Sequence, residues 1–297
     1  WTYKEGKAKT VDNIDFTKRV ANGPTDRGFD YFYGLTSPSG PPHLYMVNDM
    51  AEKQPNTRFE ESGGGLYKIK GGIGHSDWSA DGMQPHLADK MLEYLDENKD
   101  SDKPFFLYMA LTALHIPLFP SKEFKGKSKI GDYGDLVMMI DDIVGRVNRK
   151  LKEIGKYDNT IVMFAADNGC AGYINMDRIN RKGHYPSYIY RGYKSHGWEG
   201  GHRIPFILLW GDRYGHVTDN SLVSLTDLYA TFADMLGYRM ADDEAEDSFS
   251  FWPILDDSGN SARTDLIATS GAGYFTYRTP QYKLIFNAGN GSGEEYR

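Results

Sequence analysis

The sequence has 297 residues, of which 40% are hydrophobic and 25% are charged. These fractions are close to globular averages and exclude a chain that is disordered throughout. Asp and Glu (41) outnumber Lys and Arg (34), and the formal net charge of −7 excludes the basic footprint of a nucleic-acid-binding protein. No run of 18 apolar residues is present and Cys170 is the single cysteine, so the sequence predicts neither a membrane span nor an internal disulfide framework.

The N-terminal part of the chain is rich in Gly, Pro, Ser and Asn and has no sustained period, so we expect loops with short elements. Leu87, Met91 and Leu95 recur at a spacing of four and predict an amphipathic helix over residues 84–98. Residues 105–111 (FFLYMAL) are almost wholly apolar. A short apolar run of this kind is typical of a strand that is buried on both faces.

The middle of the chain predicts further strands and helices. The clearest helix covers residues 134–152, where apolar side chains recur on one face. Residues 160–166 (TIVMFAA) and 205–210 (PFILLW) are apolar strands, and a third helix over residues 225–236 is closed by Gly237. The order strand, helix, strand predicts an α/β fold with a mostly parallel sheet flanked by helices.

The character of the sequence changes after the acidic run at residues 242–247. Short β-like pieces follow it and predict a small antiparallel sheet at the C-terminal end. We therefore divide the chain into a larger α/β part, residues 1–261, and the start of a small β subdomain, residues 262–297.

Polar residues stand where the predicted strands end. His115 follows the run at 105–111, and Asp167 and Asn168 directly follow the run at 160–166. In open parallel sheets, ligands bind beyond the carboxyl ends of the strands. A carboxylate beside an amide oxygen suits Ca²⁺ or Mg²⁺, whereas Asp-Asn-Gly is also typical of a tight turn, and the residues alone leave both interpretations open.

A third polar segment runs through residues 191–194 (RGYK) and 199–205 (EGGHRIP). Lys194 could offer a positive charge to an oxyanion, and the glycines that follow let backbone amides come close to it. The alternative is a surface loop that leads into the strand at 205–210.

Together these segments resemble the formylglycine-dependent, arylsulfatase-like sulfatases of the alkaline-phosphatase superfamily. The matching words are DRGFDYFYG at 26–34, KPFFLY at 103–108 leading to HIP at 115–117, DDIVG at 141–145, NTIV at 159–162 leading to DNG at 167–169, and RGYK at 191–194 leading to RIPF at 203–206. The resemblance covers roughly residues 20–290. It implies an alkaline-phosphatase-like sheet flanked by helices.

The resemblance also implies roles for single residues. Asp167 and Asn168 match ligands of a divalent cation, usually Ca²⁺, with Mg²⁺ as the alternative. His115 matches the histidine that protonates the leaving oxygen, and Lys194 matches the lysine that holds a sulfate oxygen. Hydrolysis of a sulfate ester needs these groups, because charge on the sulfuryl oxygens and a poor alkoxide leaving group both have to be stabilised.

Four further residues are substrate-binding candidates. His184 and Arg191 flank a tyrosine-rich segment, and His43 and Asp49 lie in a loop that resembles the substrate-side loop of carbohydrate sulfatases. For each of them the alternative is ordinary loop packing. The implied partner is a sulfated carbohydrate or another sulfate ester, and the family mostly works in secreted, periplasmic or lysosomal locations.

The sequence also departs from the family. It has neither the Cys/Ser-x-Pro-x-Arg motif that yields the formylglycine nucleophile nor the later Gly-Lys-Trp-His word. Cys170 is no substitute, because no Pro stands two residues after it and no Arg four residues after it. The chain looks like a sulfatase without its N-terminal segment, so we expect formylglycine on that segment, association with that piece, and no nucleophile in this chain.

The leading hypothesis is a sulfatase that hydrolyses a sulfate monoester, most simply on a carbohydrate. One alternative is a phosphodiesterase or phosphonate hydrolase of the same superfamily, which a two-metal site with additional His ligands would favour. Another is a non-catalytic sulfatase-like protein that binds a sulfated glycan. Binding of sulfated sugars without turnover would identify it.

Overall fold

The computed structural model describes residues 1–287 together with Gly289 and Gly291. The chain separates into two compact units. Unit 1 comprises Trp1–Thr160 and Tyr173–His184, and unit 2 comprises Ile161–Gly172 and the described residues from Tyr185 onward. The division predicted between residues 261 and 262 stays a prediction. In the part of the chain that the structure describes, no helix is long and apolar enough to cross a membrane.

Unit 1 contains five short strands and three helices. These are β1 Tyr33–Leu35, β2 Tyr45–Val47, β3 Met50–Ala51, β4 Thr57–Phe59, β5 Gly72–Gly74, α1 Met83–Glu97, α2 Asp132–Glu153 and α3 Met176–Asn180. Strands β1, β2 and β3 form one antiparallel sheet, and β4 pairs with β5 in an antiparallel ribbon. The expectation of loops with short elements in the N-terminal part is confirmed.

Helices α1 and α2 pack against each other through their apolar faces. Ala88 of α1 lies in one buried cluster with Leu136, Met139 and Ile143 of α2. Leu118, from the segment between the helices, completes this cluster. Both helix predictions are confirmed to within two residues at each end, because a helix needs one continuous apolar face and the sequence shows it.

Unit 2 contains the remaining elements. These are β6 Ile161–Ala165, α4 Glu199–His202, β7 Phe206–Trp210, α5 Leu228–Leu236, α6 Trp252–Leu255, β8 Leu266–Thr269, β9 Phe275–Arg278 and β10 Lys283–Ile285. Helix α5 ends at Gly237, whose φ of +67° is the left-handed conformation that glycine adopts without strain. The last three strands form an antiparallel sheet in the order β10-β9-β8, which confirms the predicted small C-terminal sheet.

The pair formed by two of the predicted apolar strands is antiparallel. Strands β6 and β7 exist as predicted, but they pair antiparallel, with Ile161 opposite Trp210 and Ala165 opposite Phe206. A continuous apolar run indicates that a strand is buried, and it carries no information on which strand it pairs with or in which direction. The mostly parallel sheet is therefore not formed by the strand pairs of the described residues.

The predicted strand over residues 105–111 is not formed either. These residues have no helix or strand structure, and their side chains alternate in exposure. Phe106 and Tyr108 are 63% and 71% exposed, whereas Met109 and Leu111 pack against the buried cluster between α1 and α2. One face of this segment is therefore buried in unit 1. A short apolar run indicates burial and does not record whether another strand lies beside it.

Candidate active site

The turn that follows β6 brings the two predicted metal ligands together. Asp167 and Asn168 come one residue after the end of the strand, and the Asn168 Nδ2 donates a hydrogen bond of 2.7 Å to the Asp167 Oδ1. Asp167 is exposed and Asn168 is half-buried. The turn therefore presents a carboxylate and an amide side by side at the end of an apolar strand.

The backbone after Asn168 lies unusually close to a second glycine-rich segment. The Gly169 N–H donates to the Gly201 carbonyl oxygen at 3.0 Å. A Cβ atom at Gly169 would lie 1.8 Å from the Gly200 carbonyl oxygen, and one at Gly201 would lie 2.2 Å from the His196 carbonyl oxygen. Side chains at these positions are excluded by contact, which is the physical reason for the glycines.

A second backbone bond connects the same two segments and positions Lys194. The Lys194 N–H donates to the Cys170 carbonyl oxygen at 2.8 Å. Loop 191–201 is thus fixed to turn 167–170 at two points, within unit 2. The Lys194 side chain is half-buried, and its ammonium group has no hydrogen bond or ion pair with any of the described residues. A lysine held by its backbone, with its charge unpaired, can bind an oxyanion.

His115 belongs to unit 1 and is exposed. Its Nδ1 lies 2.7 Å from the Ile116 carbonyl oxygen, and the centroid of its ring lies 6.4 Å from that of Tyr173. Because a carbonyl oxygen only accepts hydrogen bonds, Nδ1 carries a proton. Nε2 is therefore the ring nitrogen that can gain or lose a proton, as a general acid requires.

His43 is buried, with 1% of its surface exposed. Its Nε2 donates to the Lys70 carbonyl oxygen at 2.7 Å, and its ring packs between Phe59 and Trp78 at centroid distances of 5.1 and 4.5 Å. Burial lowers the pKa of His43, because a charged imidazolium would lose its hydration there. This environment holds a neutral, packed histidine.

Asp49 is also 1% exposed and binds the N-terminal loop. Its carboxylate accepts hydrogen bonds of 3.1 Å from the Thr25 N–H and from an Arg19 guanidinium nitrogen, and another from the Thr25 hydroxyl group. A Cβ atom at Gly23 would lie 2.2 Å from one of its oxygens, so a side chain there would displace the carboxylate. All of these contacts are structural, and a substrate role for His43 or Asp49 stays a prediction.

The other two substrate candidates belong to different units. His184 is the last residue of unit 1, is exposed, and has its ring centroid 6.3 Å from that of Tyr133. Arg191 is exposed in unit 2, with its guanidinium carbon 4.3 Å from the centroid of the Trp198 ring. Their substrate roles stay predictions too.

Sequence reasoning did not detect a cluster of charged residues beside the glycine-rich segment. Glu199 Oε1 lies 3.0 Å from Lys283 Nζ, and Glu199 Oε2 lies 3.4 Å from Arg278 Nε. Lys283 Nζ also lies 3.0 Å from Nδ1 of His202. Nothing in the sequence connects these residues, because 84 positions separate Glu199 from Lys283.

The titration behaviour of this cluster reflects burial and pairing. Burial disfavours the ionised form of Glu199, but the hydrogen bonds and charges of Lys283 and Arg278 together outweigh it and hold the pKa of Glu199 below its ordinary value. Burial lowers the pKa of Lys283, and Glu199 opposes that effect. Burial, together with the charge of Lys283, also lowers the pKa of His202.

The predicted metal ligands do not form a complete metal site among the described residues. Among them, no group of three His, Cys, Asp or Glu side chains is placed to hold a metal ion. Asp167 and Asn168 offer two oxygen donors of the kind that Ca²⁺ and Mg²⁺ prefer, out of roughly six to eight that surround Ca²⁺ in proteins. The pair therefore fits a fraction of the coordination sphere.

The comparisons with known proteins agree on one family. The sequence model of the Sulfatase family matches residues 6–238. An N-acetylgalactosamine-6-O-sulfatase from Bacteroides thetaiotaomicron is 33% identical over 174 residues, which are 58% of this chain and 34% of that protein. An arylsulfatase from Hemicentrotus pulcherrimus is 32% identical over 205 residues, which are 69% of this chain and 36% of that protein. The chain thus spans about a third of the length of these relatives.

The fold agrees with this result. A solved structure from work on the metabolism of glycosaminoglycans by Bacteroides thetaiotaomicron superposes with a TM-score of 0.79 at 26% sequence identity. It covers 92% of this chain and 64% of that one. The likeness confirms the predicted alkaline-phosphatase-like α/β class. The family match extends over the Asp167 turn and the Lys194 loop, and the chain belongs to the sulfatase family.

Proposed function

We propose that this chain is part of the catalytic domain of a sulfatase that hydrolyses a sulfate monoester of a carbohydrate. The observation that carries the proposal is the pair of backbone hydrogen bonds that fixes the Lys194 loop to the Asp167 turn, at 2.8 and 3.0 Å. They hold the backbone of a lysine whose charge is unpaired among the described residues against the turn that carries two oxygen donors. Membership of the sulfatase family supports the same chemistry.

The chemistry follows from the charges involved. Lys194 binds a sulfuryl oxygen and stabilises the negative charge that the transition state concentrates there. Asp167 and Asn168 supply oxygen ligands to a divalent cation, Ca²⁺ or Mg²⁺, which adds Lewis-acid stabilisation when bound. His115 gives a proton from Nε2 to the leaving alcohol oxygen, while its Nδ1 stays bonded to the Ile116 carbonyl group.

No residue of this sequence is proposed as the nucleophile. Cys170 is half-buried and lacks the Cys-x-Pro-x-Arg surroundings of a formylglycine precursor. We expect the nucleophile to be a formylglycine outside these 297 residues, and association with the piece that carries it. A carbohydrate substrate is favoured by the relatives named for N-acetylgalactosamine 6-sulfate. The location is proposed as secreted, periplasmic or lysosomal, as in the family.

The test is turnover by the protein expressed from its complete reading frame. Release of sulfate from an aryl sulfate and from 6-sulfated N-acetylgalactosamine is measured for the wild type and the variant His115→Gln. Loss of the general acid lowers kcat by about 10² to 10⁴-fold. His216→Gln, an exposed histidine that is not a candidate site residue, is the matched control and changes kcat on the small aryl ester by less than about threefold.

Several outcomes contradict the proposal. Hydrolysis of phosphodiesters in place of sulfate esters favours the alternative within the superfamily. Binding of sulfated sugars with no release of sulfate favours a non-catalytic protein. Equal turnover by wild type and His115→Gln removes His115 from the mechanism.

A further inference from the structure

The charged cluster of Glu199, Lys283, Arg278 and His202 connects the C-terminal sheet to the glycine-rich segment of unit 2. Lys283 begins β10 and Arg278 ends β9, and both contact the carboxylate of Glu199, the first residue of α4. The side chains of Lys283, Arg278 and Glu199 are 12%, 18% and 27% exposed. This degree of burial separates them from ordinary surface ion pairs, which contribute little.

The residues after Glu199 are those that contact the Asp167 turn. Gly200 donates its N–H to the Arg191 carbonyl oxygen at 2.8 Å, and Gly201 accepts the hydrogen bond from Gly169. A Cβ atom at Gly169 would lie 1.8 Å from the Gly200 carbonyl oxygen, so this segment and the turn are in close contact. A displacement of Glu199 therefore changes the Gly201–Gly169 hydrogen bond, and with it the placement of Asp167 relative to Lys194.

The hydrogen bonds of this cluster have a defined donor and acceptor at each contact. His202 donates from Nε2 to the Thr269 carbonyl oxygen on β8 at 3.1 Å, so its Nδ1 accepts from Lys283. Lys283 thus bonds both the first and the last residue of α4, at Glu199 and His202. Removing the Lys283 ammonium group leaves the partly buried Glu199 carboxylate without its closest partner. The resulting loss of stability is larger than for an exposed ion pair.

Unit 2 also offers an internal comparison for this ion pair. Asp227 and Arg263 form a more deeply buried pair, with 0% and 5% of their side chains exposed. Their other hydrogen bonds go to Ser224, Phe249 and the carbonyl groups of residues 247 and 265, none of which lies in segment 167–201. This pair stabilises the unit without contacting the site.

We propose that Lys283 is a positioning residue for sulfate hydrolysis: through Glu199 it fixes Gly201 against Gly169, and so the Asp167–Asn168 pair against Lys194. The small C-terminal sheet is then part of the catalytic apparatus although it contributes no group that touches the substrate. This inference rests on the function proposed above for the same site.

The experiment compares Lys283→Met, Lys283→Arg and Arg263→Met in the protein expressed from its complete reading frame. The first readout is kcat and KM for an aryl sulfate, at a temperature where every variant is folded. Lys283→Met lowers kcat/KM by about tenfold or more, mainly through kcat, and Lys283→Arg restores most of it because the charge returns. Arg263→Met lowers the melting temperature at least as much and leaves kcat/KM within about twofold.

The second readout does not depend on activity. Amide hydrogen exchange is measured at Gly169 and Lys194, whose N–H groups make the two backbone bonds. Lys283→Met increases exchange at Gly169 selectively, whereas Arg263→Met changes it only in proportion to global stability. Unchanged exchange and unchanged kcat/KM in Lys283→Met overturn the positioning role. If Lys283→Met increases exchange at Gly169 selectively but the wild type hydrolyses no sulfate ester, the contact between Lys283 and the Asp167 turn is upheld and the proposed function is overturned.

Discussion

The Asp167 turn and the segment from His43 to Asp49, here called the His43 segment, were both predicted to bind ligands. The structure places their polar side chains in different surroundings. At the Asp167 turn the backbone is fixed by backbone groups, through the Gly169–Gly201 and Lys194–Cys170 hydrogen bonds. In the His43 segment the backbone is also paired, through β2 with β1 and β3, but here the predicted side chains are 1% exposed and bond to other parts of the chain, His43 to the Lys70 carbonyl oxygen and Asp49 to Thr25.

The difference shows what makes a polar residue available to a ligand. A side chain that accepts hydrogen bonds from within the protein, as Asp49 does from Thr25 and Arg19, has part of its hydrogen-bonding capacity already used. At the Asp167 turn the glycines let backbone groups pair with one another, and the ammonium group of Lys194 has no hydrogen bond or ion pair with any of the described residues. The number of internal partners of a side chain is therefore a better guide than its residue type.

The strongest way to break the Asp167 turn is Gly169→Ala. The added Cβ would lie 1.8 Å from a carbonyl oxygen, so the turn must move away from loop 191–201. We expect kcat/KM for an aryl sulfate to fall by about a hundredfold, because small displacements of catalytic groups have effects of this size. Gly215→Ala is the control, since nothing lies within 4 Å of its added Cβ, and a similar loss there would contradict the account.

In the His43 segment a substitution is expected to change the stability of the protein. Asp49→Ala leaves the Thr25 N–H without its acceptor and removes a partner of Arg19, so the free energy of unfolding falls by about 2–3 kcal/mol. Asp12→Ala removes an exposed ion pair with Arg58 and lowers the free energy of unfolding far less, because solvent screens the pair. Denaturant unfolding of both variants measures the difference. Equal losses would mean that Asp49 is not structural.

A smaller effect in the His43 segment is the dependence of stability on pH. The folded pKa of His43 is lowered by burial, so the folded state binds fewer protons than the unfolded state below an ordinary pKa of about 6.5. Its contribution to stability is present above that pH and is lost as the pH falls toward the folded pKa. His43→Gln should reduce this slope by up to about 1.4 kcal/mol per pH unit between pH 6.5 and 5, measured by urea unfolding. A slope unchanged from the wild type would show that His43 is not held neutral.

The predictable parts of the fold are the helices and strands whose own residue pattern shows which face is buried. Helices α1 and α2 show their buried face in the spacing of Leu87, Leu95, Leu136 and Ile143, and the C-terminal strands show short apolar alternation. Strand direction was not predictable, because the pairing of β6 with β7 depends on a connection of 40 residues whose path no local pattern records.

The candidate site was predictable in part for the same reason. Asp167 stands at the end of a recognisable strand, so its position follows from the sequence. The burial of His43 and Asp49 depends on Phe59, Trp78 and Thr25, which lie 16 to 35 residues away in the sequence. The pairing of Glu199 with Lys283 spans 84 residues and has no local signature at all.

The most direct test of this account is the binding of inorganic sulfate, the product of the proposed reaction, measured by calorimetry in the presence of Ca²⁺. Wild type, Lys194→Met and His43→Gln are compared in the protein expressed from its complete reading frame. The account predicts that Lys194→Met weakens sulfate binding by about tenfold or more, since a charged hydrogen bond is lost, while His43→Gln leaves it unchanged. Equal affinity in wild type and Lys194→Met, or a loss confined to His43→Gln, would contradict it.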